Sequence, residues 1–155
     1  MKLAPNCEVC QAIENVDKST ETVLETKHWL VNLDKNQRFL GKCFVTLKQH
    51  KNRLSELSAD EQHELFKIIN DLEKAINKAF APTHFNWQCL MNIAARNEQE
   101  THVHWHLHPR YKTQVCFNGL VFEDKEYYSS NERTENLVDE QTIGLIAKKI
   151  REEIK

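Results

Sequence analysis

The sequence predicts an α+β fold with a largely antiparallel sheet. Short runs rich in β-branched and aromatic residues precede one long amphipathic segment, and further such runs follow it. The chain has 155 residues, which suits a single domain spanning 1–155 with a real buried core. No internal repeat or low-complexity linker interrupts it.

Cys7 to Glu14 reads as a short opening helix or turn. "TETVLETKHWLVNLD", Thr20 to Asp34, reads as two β segments meeting near Lys27, with Val23, Trp29, Val31 and Leu33 as the strand-type residues. "KNQRFLG" is a polar connection ending at Gly41, and "KCFVTLK", Lys42 to Lys48, is a third strand. Ser58 and Glu61 form an S-x-x-E capping box. Leu65, Ile68, Ile69, Leu72, Ile76 and Phe80 then recur at helical spacing, so a helix is expected over Ala59 to Phe80, stopped by Pro82. "HFNWQCLMNIA", His84 to Ala94, reads as a strand, and "ARNEQE" as a polar loop. Lys112 to Asn136 has little periodicity and reads as an irregular, partly surface segment. Thr142 to Ile154 reads as a closing helix with Ile143, Ile146, Ile150 and Ile154 on one side.

The formal net charge of -2 gives no global basic field for nucleic acid or anionic lipid. The five cysteines are an odd number, and "MKLAPNCEVC" has no apolar stretch of the signal-peptide kind. No run approaches the ~18 apolar residues of a membrane span. The expectation is a soluble, cytoplasmic protein with reduced thiols, no nucleic-acid partner and no membrane contact.

The distinctive stretch is "HVHWHLHPR", His102 to Arg110, which holds four of the eight histidines. Strict alternation argues a strand, with Val103, Trp105 and Leu107 on one side and His102, His104, His106 and His108 on the other. Neighbouring histidines then lie about 7 Å apart, so no single phosphate or metal touches all of them. Three readings of the row remain open. It is a polar face that happens to be histidine-rich, a metal chelate of the i, i+2 kind, or a row holding a nucleophile. A neutral imidazole, with an ordinary pKa near 6.5, needs no activating base. Trp105 reads as core or subunit interface.

"HVHWHLHPRY" resembles the signature of the histidine triad (HIT) family. "LVNLDKNQRFLGKCFVTLKQH" and "SELSADEQHELF" resemble neighbouring segments of the family, and "CEVC" resembles the paired cysteines of many bacterial members. The resemblance covers about residues 7 to 112, leaving 113–155 as a C-terminal extension. It implies an α+β half-barrel with a long central helix, usually a homodimer, acting at the α-phosphate of a purine nucleotide. Diadenosine polyphosphates and adenosine phosphoramidates are the implied substrates. By this resemblance His104 attacks phosphorus and forms a nucleotidyl-histidine, His106 bonds the phosphate or leaving group, and His102 is structural. Asp34 matches the acceptor of the ribose hydroxyls, Asn92 a nucleotide contact, and Gln99 a phosphate donor. Each has a plainer alternative: a turn residue at Asp34, a strand end at Asn92, a surface amide at Gln99. His108 exceeds the triad and reads either as a leaving-group neighbour or as a surface residue.

One departure stands out. Gly41-Lys42 replaces the family's Gly-His, and Lys42, a point charge, either approaches a phosphate or weakens turnover. Cys7 and Cys10 raise a separate question. No strand fits before this C-x-x-C, which argues against a redox motif. A zinc site needs two further ligands, for which His50 and His102 are the candidates. The resemblance points the same way, since C-x-x-C members such as the galactose-1-phosphate uridylyltransferases join these positions through structural zinc. Two metal-free thiols are the alternative, and no organic cofactor is expected. Cys43, Cys89 and Cys116 read as ordinary small residues. The leading function is thus a HIT-type hydrolase or nucleotidyl transferase. Its rivals are a nucleotide-binding module with negligible turnover because of Lys42, and a metalloenzyme using the histidine row, for whose usual barrel the chain is too short.

Overall fold

The structure is a computed structural model that describes residues 4–14, 21–128 and 135–154. Its organising element is the helix α2, Ala59–Phe80. Ser58 Oγ accepts from Glu61 N at 3.3 Å, and Ser58 N donates to Glu61 Oε2 at 2.6 Å, so the capping box is formed. The helix buries Leu65, Ile68, Leu72, Ala75, Ile76 and Phe80 on one stripe. It ends at Ala81, which adopts a left-handed conformation, immediately before Pro82.

Five strands form an antiparallel sheet: β1 Thr22–Glu25, β2 Trp29–Leu33, β3 Cys43–Leu47, β4 His84–Gln88 and β5 His104–Arg110, in the order β1-β2-β3-β5-β4. The two-residue period divides the sheet into faces. Val31, Leu33, Cys43, Val45, Leu47 and Leu107 are buried in the core with the α2 stripe. Trp29 joins them, and its indole N–H donates to Glu61 O at 3.0 Å. On the opposite face, register aligns Asn32, Phe44, His106 and Gln88 across four strands. The candidate histidines His104, His106 and His108 stand on this second face.

The ends close around that sheet. Helix α1, Glu8–Glu14, opens the chain, and α3, Asn92–Arg96, lies between β4 and β5. A hairpin of β6, Val115–Phe117, and β7, Leu120–Phe122, follows β5. Helix α4, Glu140–Arg151, is capped by Asp139, which accepts from Thr142 N at 2.7 Å, and packs on α2 and β1. Among the described residues no helix is long and apolar enough to cross a membrane.

Several expectations are corrected. The strand expected over His84–Ala94 stops at Gln88, where its register with β5 reaches His106, and "NIAAR" turns helical instead. The segment expected to be irregular after Lys112 contains the β6–β7 hairpin, turned by Asn118 and Gly119, both with positive φ. Residues 129–134 of that segment lie outside the described residues. The closing helix starts two residues before Thr142 and ends at Arg151, with Ile154 beyond it. The histidine strand begins at His104, so His102 precedes it and faces elsewhere. The "polar connection" 35–41 is not a solvated loop: Phe39 and Leu40 are buried and Gln37 is fully enclosed.

Candidate functional site

The site starts with the loop between β2 and β3. Gln37 holds it from inside: its amide NH2 donates to Asp34 O at 2.5 Å and Lys42 O at 3.1 Å, and its carbonyl accepts from Gly41 N at 2.8 Å. Gly41 turns the chain at φ 83, where a side chain is disfavoured, against Ile76, Phe80 and Pro109. That turn delivers Lys42 and Asp34 to the histidine face. Lys42, only 7% exposed, forms an ion pair with Asp34 Oδ2, while Asp34 Oδ1 accepts from Asn36 N at 2.9 Å.

Three histidines of the row lie together. His104 Nδ1 is 2.8 Å from the His102 carbonyl. A carbonyl only accepts, so Nδ1 carries the proton and Nε2 of neutral His104 presents its lone pair. That lone pair faces His106 Nε2 at 3.2 Å, which makes His106 the donor in this contact. Burial lowers the His106 pKa to about 4, with the charges of His104 and Lys42 adding and Asp34 opposing. The His104 and His106 rings are 5.0 Å apart and the His106 and His108 rings 6.0 Å, less than the backbone pleat alone gives. His108 is buried, at 8% exposure, and is not a surface residue. Burial drives its pKa down to about 3, followed by Lys42, His106, Arg38 and Arg110. Val103 and Leu107 are buried as expected, whereas Trp105 is half-buried, its indole nitrogen without a hydrogen-bond partner among the described residues.

His102 belongs to a second group. Its ring is 1% exposed, and Nε2 lies 2.6 Å from Leu47 O, so Nε2 carries the proton and Nδ1 the lone pair. Nδ1 is 3.5 Å from Cys7 Sγ and 3.4 Å from Cys10 Sγ. His50 Nδ1 is 3.3 Å from Cys10 Sγ, and its Nε2 lies 3.3 Å from Glu100 Oε2. The four donor atoms of Cys7, Cys10, His50 and His102 all lie within 4.8 Å of one another. A tetrahedral zinc with Zn–S about 2.3 Å and Zn–N about 2.0–2.1 Å sets sulfur and nitrogen ligands about 3.5 Å apart. The donor set and its spacing therefore fit zinc, with Leu47 O and Glu100 as outer partners of the two rings. Burial raises the Cys10 pKa to about 11 in the protein alone, so a cation has to displace that proton. Burial likewise holds the Cys43 thiol up, and Cys43 donates to Gly41 O at 3.1 Å as a core residue. Cys89 is half-buried and Cys116 exposed.

Asp34, Lys42, His104, His106 and His108 are thus brought together. Asn92 and Gln99 are not in that set of contacts among the described residues. Asn92 is exposed at the start of α3, and the Gln99 amide donates to Glu8 at 2.8 Å, tying the loop to α1. Three site residues escaped the sequence reading. Gln37 had no signal beyond a polar setting. Phe44 meets His106 edge-on at 4.9 Å, and Phe39 meets His108 at 5.0 Å; alternation along β3 points to Phe44, but nothing local points to Phe39.

The fold and contacts define an antiparallel-sheet protein that presents a paired histidine row beside a Cys₂His₂ cluster. The HIT domain model matches residues 15–113. The chain is 30% identical over 108 residues to an uncharacterized HIT-like protein of Methanocaldococcus jannaschii, covering 68% of this chain and 80% of that one. Its fold is similar to that of a hypothetical histidine triad nucleotide-binding protein from Sulfolobus tokodaii, with a TM-score of 0.68 at 22% identity over 95% of this chain and 91% of that one. A zinc-bound histidine triad family protein from Mycobacterium smegmatis has a TM-score of 0.60 at 16% identity over the same shares, 95% and 91%. The chain belongs to the HIT, or histidine triad, family.

Proposed function

We propose that the protein hydrolyses or transfers the nucleotidyl group of a purine nucleotide substrate, by attack of His104 on the α-phosphorus. The observation that carries this reading is the hydrogen bond from His104 Nδ1 to the His102 carbonyl, which leaves Nε2 unprotonated and facing the His106 donor. Nε2 forms a bond to phosphorus as the bond from phosphorus to the leaving oxygen or nitrogen breaks. The His106 Nε2–H donates a hydrogen bond to the leaving group, which takes its proton from water. In the second step water attacks the phosphorus and releases its proton to solvent, and the nucleoside 5′-phosphate leaves His104 as a free imidazole. Asp34 accepts the ribose hydroxyls, and Lys42 moves from Asp34 toward a non-bridging phosphate oxygen. Asn92 and Gln99 contact the nucleotide from the α3 side in this reading.

Cys7, Cys10, His50 and His102 hold a structural zinc in this reading, as their donor spacing supports. The ion supplies no step of the reaction; it fixes His102, whose carbonyl sets the His104 tautomer. The substrates favoured are diadenosine polyphosphates and adenosine phosphoramidates, and the reading extends to one domain over 1–155, acting as a cytoplasmic homodimer.

The buried Lys42–Asp34 ion pair favours a second reading, a module that binds nucleotide without turnover. One experiment separates the two. A panel of diadenosine polyphosphates, adenosine phosphoramidate and nucleotide sugars is incubated with the protein and analysed by product mass. Release of adenosine 5′-phosphate over many turnovers supports the enzyme. Bound mononucleotide with no product supports the module.

A further inference from the structure

The reaction proposed above gives His108 no task, yet the side chain is buried on the same face as His104 and His106. Its Nε2 is buried without a hydrogen-bond partner among the described residues. What His108 offers its surroundings is therefore a flat ring. That ring meets His106 at 6.0 Å and 74°, and on another side Phe44 meets His106 at 4.9 Å and 71°. His106 is gripped by two nearly perpendicular aromatic edges.

Such a grip has a chemical consequence. The torsion that turns an imidazole about its own axis is soft, with a broad, roughly two-fold profile. A half-turn of His106 puts Cε1 where Nε2 was, removes the donor from His104 Nε2 and frees the His106 proton to move between the two ring nitrogens. Packing has to hold the productive orientation. His108 is in turn held by Phe39, 5.0 Å away, and two guanidinium groups lie over the Phe39 ring, Arg38 and Arg110, each at 4.8 Å. Arg38 is paired with Glu126 at 2.9 Å, and Arg110 with Asp124 at 2.6 and 3.2 Å. Asp124 also accepts from Tyr111 N at 3.2 Å. Both carboxylates lie after residue 113, where the HIT match ends.

We infer that His108 is a positioning residue: its ring, seated on Phe39 and anchored by Arg38 and Arg110 to the C-terminal carboxylates, fixes the orientation of the His106 imidazole toward His104. The assignment of His106 as hydrogen-bond donor to the leaving group rests on the proposed function; the orientation of its ring does not.

The test compares wild type with His108→Ala, His108→Phe and Phe39→Leu, by two readouts. Long-range ¹H–¹⁵N spectra report which His106 nitrogen carries the proton and whether the ring is fixed. Steady-state kinetics with adenosine phosphoramidate report kcat and KM. In His108→Ala the two His106 nitrogens should average, and kcat should fall roughly tenfold or more with KM changed by less than about twofold. His108→Phe, which keeps a flat edge and has no nitrogen, should restore both, and Phe39→Leu should shift the spectrum in the same direction as His108→Ala. If His108→Ala does not fold, His108→Leu makes the same comparison with volume kept and the edge lost. Wild-type His106 signals in His108→Ala, or a His108→Phe protein as impaired as His108→Ala, would overturn the inference. A wild-type protein without turnover would defeat the proposed function and leave the spectra to decide this point alone.

Discussion

At the scale of single residues, the site depends on where protons rest. His104 has its Nδ1 proton committed to a backbone carbonyl, and His102 has its Nε2 proton committed to another, so each presents its remaining lone pair in a fixed direction. Lys42 is the unusual neighbour. It stands where the family carries a histidine and is ion-paired with the proposed ribose acceptor Asp34. Removing one partner of a buried pair leaves the other uncompensated, at a cost of about 3 kcal/mol. Lys42→Ala should therefore raise KM and lower the urea midpoint, and Lys42→His should recover part of both. Unchanged kinetics and stability in the two variants would remove Lys42 from the site. His108 gives a second prediction. Its native pKa is about 3, against an ordinary value near 6.5, because burial and nearby cations disfavour its charged form. Above about pH 6.5 both folded and unfolded chains leave it neutral. As pH falls from there toward 3, the unfolded chain takes up a proton that the native chain does not, so stability declines across that window. Denaturant midpoints of His108→Leu should decline less steeply than those of wild type between pH 6.5 and 4. Parallel curves would contradict the assignment.

At the scale of elements, a candidate zinc site joins α1 to the segments that follow β3 and precede β5. Helix α1 has only seven residues, too few to persist alone in water. Its anchor is the set of Cys7, Cys10, His50 and His102, so metal and N-terminal order should be lost together. Purified reduced protein should contain about one zinc per chain. Cys7→Ser with Cys10→Ser should lose the metal and several degrees of melting temperature while nucleotide binding persists. Elemental analysis finding no zinc in freshly purified protein would sink this claim. The elements also divide by how legible they were. Helix α2 was readable to the residue because its capping box, apolar stripe and terminal proline are all local. The alternation in "HVHWHLH" gave β5, and proximity of the C-x-x-C to His50 and His102 followed from the family resemblance. The β6–β7 hairpin was missed although "NG" stood between two apolar triplets. The end of β4 was missed for a different reason: it is set by where β5 ceases to pair, which no residue of β4 announces.

At the scale of the whole molecule, the sheet carries two faces with separate duties. One is buried against α2 and sets stability; the other lines up His104, His106 and His108 along β5, with Asp34 and Lys42 brought to it by the loop between β2 and β3. The C-terminal residues reach this second face through Arg38 and Arg110, and through a bridge between Asn36 and Leu137 beside the Gln37 loop. These long-range contacts, and the burial of Phe39 and Gln37, depend on tertiary packing and had no local signature. The central claim is that His104 is the nucleophile. Wild type is mixed with adenosine phosphoramidate or diadenosine polyphosphate, quenched in acid within milliseconds and mapped by peptide mass. The account predicts an adenylyl adduct on His104, no adduct and no turnover in His104→Ala, and a milder loss of about 10²- to 10³-fold in His106→Ala. An adduct on His102, His106 or His108, or near-normal turnover in His104→Ala, would contradict it.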